Sequence, residues 1–147
     1  MQIEIPEFAL IALIGPSSSG KTTFAGKHFL HTQVLSSDVF RGMVCDDEGD
    51  QSVSGDAFEL LYRVAEKRLN HRKTTVIDAV NLQRRDRKKI MELAKLQDVH
   101  AVAIILAPSE KIILERNMVR KENFGVIRKR SMDLLILSEM CTGVLMN

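Results

Sequence analysis

The feature that most limits how this chain can fold is an unbroken apolar run, Phe8 to Ile14, that ends abruptly at the loop Gly15-Pro16-Ser17-Ser18-Ser19-Gly20, followed by Lys21 and Thr22. A continuous apolar run with no polar alternation reads as a strand buried on both faces, the situation of a parallel sheet covered by helices on each side. Acidic Glu4 and Glu7 precede it and no basic stretch does, so it is expected neither to span a bilayer nor to serve as a secretory signal. From Lys21 the chain can continue as a helix, and a short strand around Gln33 to Ser36 follows, ending at Ser37-Asp38. The result is a strand, helix, strand unit.

The same alternation continues downstream. Arg41 to Gly55 is polar, with Asp46, Asp47, Glu48 and Asp50 close together, and reads either as a surface loop near the mouth of a site or as a solvated linker. Ser54 is a candidate cap for a helix in which Phe58, Leu61, Tyr62, Ala65 and Leu69 recur at steps of three and four. Thr74 to Ile77 form a third strand stopping at Asp78. A basic helix from about Arg84 to Lys95 leads to a fourth strand, Val99 to Leu106, and Pro108-Ser109 opens a helix carrying Arg116 and Arg120. A last helical stretch is expected over about 126 to 140, and the stub Val144-Leu145-Met146 is too short to assign as a closing strand. Strands alternating with helices predict an α/β fold with a parallel sheet, helices on both faces and right-handed crossovers. At 147 residues one compact domain is expected, with a core over about 1–110 and a helical lid over about 111–140. The two cysteines, Cys45 and Cys141, have no spacing that suggests a disulfide framework or a zinc site, and a reducing cytoplasm fits them best. A formal net charge of +2 favours no particular partner by itself.

Chemistry enters with the loop. GPSSSGKT, Gly15 to Thr22, satisfies the GxxxxGK[ST] pattern in the strand-to-helix context that the pattern needs. Glycines let successive main-chain amides and the helix N-terminus face a polyphosphate, so Gly15, Ser17, Ser18, Ser19, Gly20, Lys21, Thr22 and Thr23 are the candidate ATP-binding residues. Lys21 is expected to reach the β- and γ-phosphates and the Thr22 hydroxyl to ligate Mg²⁺. Open α/β sheets place ligands at the carboxyl ends of their strands, where Asp38 and Asp78 both fall. Asp38 is either the base that takes a proton from an acceptor hydroxyl or the cap of a turn. Asp78 is either a Walker B-like Mg²⁺ ligand or a strand-end hydrogen-bonding residue. Arg116 and Arg120, four apart, share a helix face; they suit a lid that clamps an anion, or a solvated face paired with Glu115 and Glu122. Two basic clusters, Arg84, Arg85, Arg87, Lys88, Lys89 and Arg128, Lys129, Arg130, could track a phosphate backbone, although a solvated helix face accounts for either.

Taken together, GPSSSGKT, SSDVFRG at Ser36 to Gly42, DDEGDQ at Asp46 to Gln51, TVIDAVN at Thr75 to Asn81 and ERNMVR at Glu115 to Arg120 give a chain that resembles the kinase domain of bacterial polynucleotide kinase-phosphatase, within the phage-type polynucleotide kinases. The resemblance implies a P-loop kinase that uses ATP and Mg²⁺ to phosphorylate the 5′-hydroxyl end of RNA or DNA. It implies that Asp38 activates that hydroxyl, that Arg41 holds the acceptor strand near its first phosphate, and that the acidic segment ending at Gln51 lies on the acceptor side. Arg116 and Arg120 match the lid arginines that embrace the donor phosphates. Three departures stand out: Val80 replaces a usual threonine, the lid after Arg120 is short, and the closing strand is reduced to the stub at 144–146. The phosphatase and ligase domains of some relatives have no counterpart here, so the expectation is a stand-alone enzyme or a fragment.

Overall fold

A computed structural model describes residues 4–124 and 144–145 of the chain. Four parallel strands form its centre: β1 (Leu10–Ile14), β2 (Val34–Ser36), β3 (Thr75–Asp78) and β4 (Ala101–Ile105). The order across the sheet is β2-β3-β1-β4-β5, with β5 (Val144–Leu145) antiparallel to β4. The stub left unassigned in sequence is therefore a two-residue strand, paired through Val102 with Leu145 and Ala103 with Val144. β1 is central, and all five of its residues are buried, as its uninterrupted apolar sequence requires.

Alternation along β1 divides the core in two. Leu10, Ala12 and Ile14 face α3 (Ser54–Asn70) and α4 (Arg84–Leu96), meeting Ala57, Leu61, Ala65, Leu69, Ile90 and Ala94. Ile11 and Leu13 face the other way, onto Ala25 of α1 (Lys21–His28), with Val76 and Ile104 beside them. Helices thus cover both faces of the sheet. The last described helix, α5 (Glu110–Phe124), contributes little to this interior: Ile112, Leu114, Met118 and Val119 are exposed. No helix among the described residues is long and apolar enough to cross a membrane.

Several sequence boundaries need correction. Phe8 is not part of β1; it sits in a turn at φ 61 and is 40% exposed, so the apolar run outlasts the strand at its start. β3 begins one residue later than expected and includes Asp78, and β4 is trimmed at both ends. The largest correction concerns Arg41 to Gly55, which is not a surface loop throughout. Ser37–Cys45 is a helix, α2, that buries Ser37, Phe40 and Arg41 along one side. It ends where Asp46 turns left-handed at φ 60 and its amide returns to Gly42 O. Only residues 46–50 form open loop before a 3-10 turn at Gln51–Val53, which is capped by Asp50 onto the Ser52 amide. Ser54 is consequently the first residue of α3 rather than its cap, which is Val53. The helix expected over 126–140, the cluster Arg128, Lys129, Arg130 and Cys141 lie outside the described residues.

Candidate active site

The loop between β1 and α1 is shaped by contacts that leave no room for side chains. A Cβ on Gly15 would stand 2.5 Å from Leu106 O and 2.7 Å from Ser19 Oγ, so the close approach of β4 to the loop requires glycine here. Gly20 occupies the N-cap of α1 at φ 98, a conformation that L side chains rarely take. No side chain caps α1, and its first turn carries no acidic residue. Its leading amides therefore face outward with the positive end of the helix dipole, as a bound phosphate needs. Lys21 is buried within this turn, its Nζ donating to Gly15 O at 2.9 Å and to Pro16 O at 2.8 Å, with Ser19 Oγ at 3.5 Å. Ser19 is buried, Ser17 is exposed, and Thr23 points outward from α1.

Beside this cradle, Thr22 Oγ1 donates to Asp78 Oδ2 at 2.7 Å, joining the start of α1 to the end of β3. The hydroxyl and carboxylate oxygens are the hard donors that Mg²⁺ selects, so this pair fits the metal. Asp78 is only 5% exposed. Burial pushes its carboxyl above the usual carboxylate range; the hydrogen bond from Thr22 and the Lys21 charge oppose that rise, and the Asp38 charge adds to it.

That influence of Asp38 on Asp78 follows from topology. Ser36 of β2 pairs in register with Asp78, and Asp38 lies in the first turn of α2, two residues further on. It does not close β2, as its position in sequence suggests, but starts the helix, where the dipole favours a negative charge. Its side chain is 44% exposed and forms an ion pair with Arg41 one turn later. Arg41 is itself 7% exposed and also donates from Nε to Glu48 O at 2.7 Å. The acidic loop is thus drawn onto the same guanidinium that pairs with Asp38. A Cβ on Gly42 would come within 3.0 Å of Glu48 Cγ, so the small residue after Arg41 makes room for this return.

The structure therefore brings together the loop, Lys21, Thr22, Asp78, Asp38 and Arg41. Gln51 is exposed, and its amide oxygen accepts from Ser54 Oγ at 3.4 Å, a contact directed at α3 rather than at Arg41. Arg116 reaches the cradle from α5, its Nη1 lying 3.4 Å from Ser18 O. Arg120 is on the same helix, but its side chain lies outside the described residues. Arg87 is redirected: instead of facing solvent with its neighbours, it donates to Asn81 O and Leu82 O and braces the turn after β3. Sequence reasoning missed Asn117, whose Oδ1 accepts from Ser18 Oγ at 2.6 Å. It also passed over Asn81, buried at φ 50 with its amide on Leu13 O at 2.8 Å, although that residue lies inside the TVIDAVN stretch.

The sequence matches the AAA_33 family model, described as an AAA domain, over residues 10–135. No curated protein matches it. Among solved structures, a candidate kinase from Chloroflexus aurantiacus superposes with a TM-score of 0.66 at 22% identity, over 78% of this chain and 66% of that one. A chain of the Pnkp1/Rnl/Hen1 RNA repair complex gives 0.67 at 23% identity, over 82% of this chain and 40% of that one. The Mycobacterium tuberculosis APS kinase CysC, in complex with AMPPNP and APS, gives 0.60 at 16% identity, over 84% and 78%. At these identities the likeness is one of fold: a parallel four-strand sheet flanked by helices, shared with P-loop kinases. The chain spans about two thirds of the first of these proteins and two fifths of the second.

Proposed function

The chain belongs to the AAA_33 family, and on that footing we propose that it is an ATP-dependent kinase that phosphorylates the 5′-hydroxyl end of RNA or DNA. The reading rests on one observation: two carboxylates of different standing lie at neighbouring strands, one closing β3 and the other in the first turn of the helix that follows β2. Asp78 is buried and engaged with Thr22, whereas Asp38 is half open to solvent and has a guanidinium beside it. The first suits a metal ligand. The second suits a base that meets an incoming alcohol.

When bound, ATP supplies the γ-phosphoryl group and Mg²⁺ neutralises charge on its oxygens. The chain's own groups then divide the work. Main-chain amides of the loop from Ser17 onward and the Lys21 ammonium would hold the donor phosphates, and Thr22 with Asp78 would hold the metal. Asp38 takes the proton of the attacking hydroxyl as its oxygen bonds to the γ-phosphorus and the bond to the β-γ bridging oxygen breaks. Arg116 lies on the side from which it can share the charge spread over the equatorial oxygens, and Arg120 follows it one helical turn later. Positioning and electrostatics supply most of the acceleration.

Arg41 favours a polynucleotide acceptor. Two of its five N–H donors are engaged by Asp38 and Glu48 O, which leaves donors in a fixed plane for a backbone phosphate next to the reacting hydroxyl. The resemblance of SSDVFRG and the segment ending at Gln51 to the acceptor side of polynucleotide kinases supports the same reading. A kinase of a small alcohol is the second reading, favoured by the larger share of the APS kinase that this chain spans.

Incubation with γ-labelled ATP, Mg²⁺, matched 5′-hydroxyl RNA and DNA oligomers and free nucleosides separates these. Label at an oligomer terminus, with oligomer affinity falling steeply as salt rises, is the expected result. Label on the nucleosides alone would transfer the assignment to small alcohols. ATP binding with no label on any acceptor would leave a nucleotide-binding module without catalysis.

A further inference from the structure

Arg116 alone is poorly fixed for a residue that must meet a transferring phosphoryl group. Its contact with Ser18 O, at 3.4 Å and exposed, is long for an N–H···O bond. Among the described residues of α5, burial does not fix Ile112, Leu114, Met118 or Val119, which are 39–66% exposed. The firm attachment comes from the next residue. Ser18 Oγ donates to Asn117 Oδ1 at 2.6 Å, in partly buried surroundings and across 99 residues of sequence. Successive residues on a helix diverge by about 100°, so Arg116 and Asn117 straddle Ser18, one meeting its carbonyl and the other its hydroxyl.

We infer that Asn117 is a positioning residue for the transfer reaction: by accepting from Ser18 it registers α5 on the phosphate loop and so keeps the Arg116 guanidinium over the cradle. Gly20 belongs to the same arrangement, because a Cβ there would stand 3.2 Å from Arg116 Nη1 and crowd the guanidinium. The Ser18 backbone is left-handed at φ 63, a conformation uncommon for residues other than glycine. It is the point at which the arm and the loop are joined.

This inference rests on the kinase reading for its chemistry, and it is tested on a cycle of variants: Asn117→Ala, Ser18→Ala, the double variant, and Asn117→Ala in an Arg116→Ala background. Ser18→Gly, which removes the hydroxyl while relaxing the left-handed backbone, serves where Ser18→Ala disturbs the loop. Turnover, KM for ATP, ATP affinity by calorimetry and Tm are read for each. Each single variant should lower both kcat and ATP affinity about three- to tenfold, the worth of one neutral hydrogen bond. The double variant should be no worse than the poorer single one, with Tm close to that of the parent protein. In the Arg116→Ala background, Asn117→Ala should cost nothing further in kcat or in ATP affinity. An unchanged Asn117→Ala protein would overturn the inference, as would additive losses, a loss that persists without Arg116, or one that follows Tm. A parent protein that binds ATP but labels no oligomer would sink the acceptor assignment alone, and the cycle in ATP affinity would still decide the role of Asn117.

Discussion

Arg41 and Arg116 approach the site from opposite sides and are held in opposite ways. Arg41 is 7% exposed, ion-paired to Asp38 and bonded to Glu48 O, on a helix that packs against the sheet edge. Arg116 is exposed, on a helix whose described apolar residues Ile112, Leu114, Met118 and Val119 are exposed as well, and its described contact is a single long one to Ser18 O. On the proposed reading the acceptor side is therefore built into the packed part of the domain, while Arg116 is brought to the donor side by a helix registered on the phosphate loop through Asn117 and Ser18. This division suits phosphoryl transfer. The attacking hydroxyl must be aimed in line, whereas charge on the equatorial oxygens can be met by a group that closes over them.

The difference predicts unlike responses to substitution. Asp38→Ala should produce the largest effect, a loss of transfer of about 10⁴-fold, at the upper end for removal of a general base. ATP affinity should stay close to that of the parent protein, because the proposed reading puts Asp38 on the acceptor side. Retention of full turnover would break the assignment of the base. Arg116→Ala should follow, with a loss on the order of 10³-fold if it acts as an arginine finger and no change in Tm, since it buries little. A loss of less than about tenfold would return it to the solvated face that Glu115 offers. Arg41→Met reverses the pattern. Its buried guanidinium anchors the acidic loop, so stability should fall by about 1–3 kcal/mol, measured by urea unfolding, together with weaker oligomer binding. An Arg41→Met protein as stable as its parent would remove the contrast between the two arginines.

The two sides were also unequally legible in sequence. The phosphate loop could be read directly because its geometry dictates composition: Gly15 lies against Leu106 O, and Gly20 takes φ 98. β1 was legible for a similar reason, burial on both faces demanding an apolar run. By contrast, α2 was hidden. Gly42 within it and the acidic residues just after it imitate a loop, and the burial of Arg41 becomes evident only once Glu48 folds back onto it. Asn117 was hidden for another reason. Spacing on α5 directs attention to Arg116 and Arg120 on a shared face, whereas the Asn117 contact with Ser18 is made in space and leaves no local pattern.

Asp78→Asn gives the smallest effect on the fold and tests whether the floor of the site is held at a cost to stability. Burial raises the Asp78 carboxyl above its ordinary range despite the opposing Thr22 hydrogen bond and Lys21 charge. A group raised in this way favours the folded state fully below its unfolded pKa, and that contribution is lost as pH rises through the folded value. Above its folded value the ionised carboxylate therefore costs stability in the ligand-free protein. Asparagine keeps an oxygen for Thr22 and carries no charge, so the variant should melt about 2–5 °C higher at neutral pH. The gain should shrink as pH falls through the raised value at which Asp78 itself becomes neutral and on toward the ordinary carboxylate range. Adding Mg²⁺ and ATP should reverse the order, because the parent protein gains ligand stabilisation that the variant largely lacks. Equal melting of the two proteins across that pH range would mean that Asp78 is not strained by its burial. Its role at the end of β3 would then reduce to the hydrogen bond with Thr22.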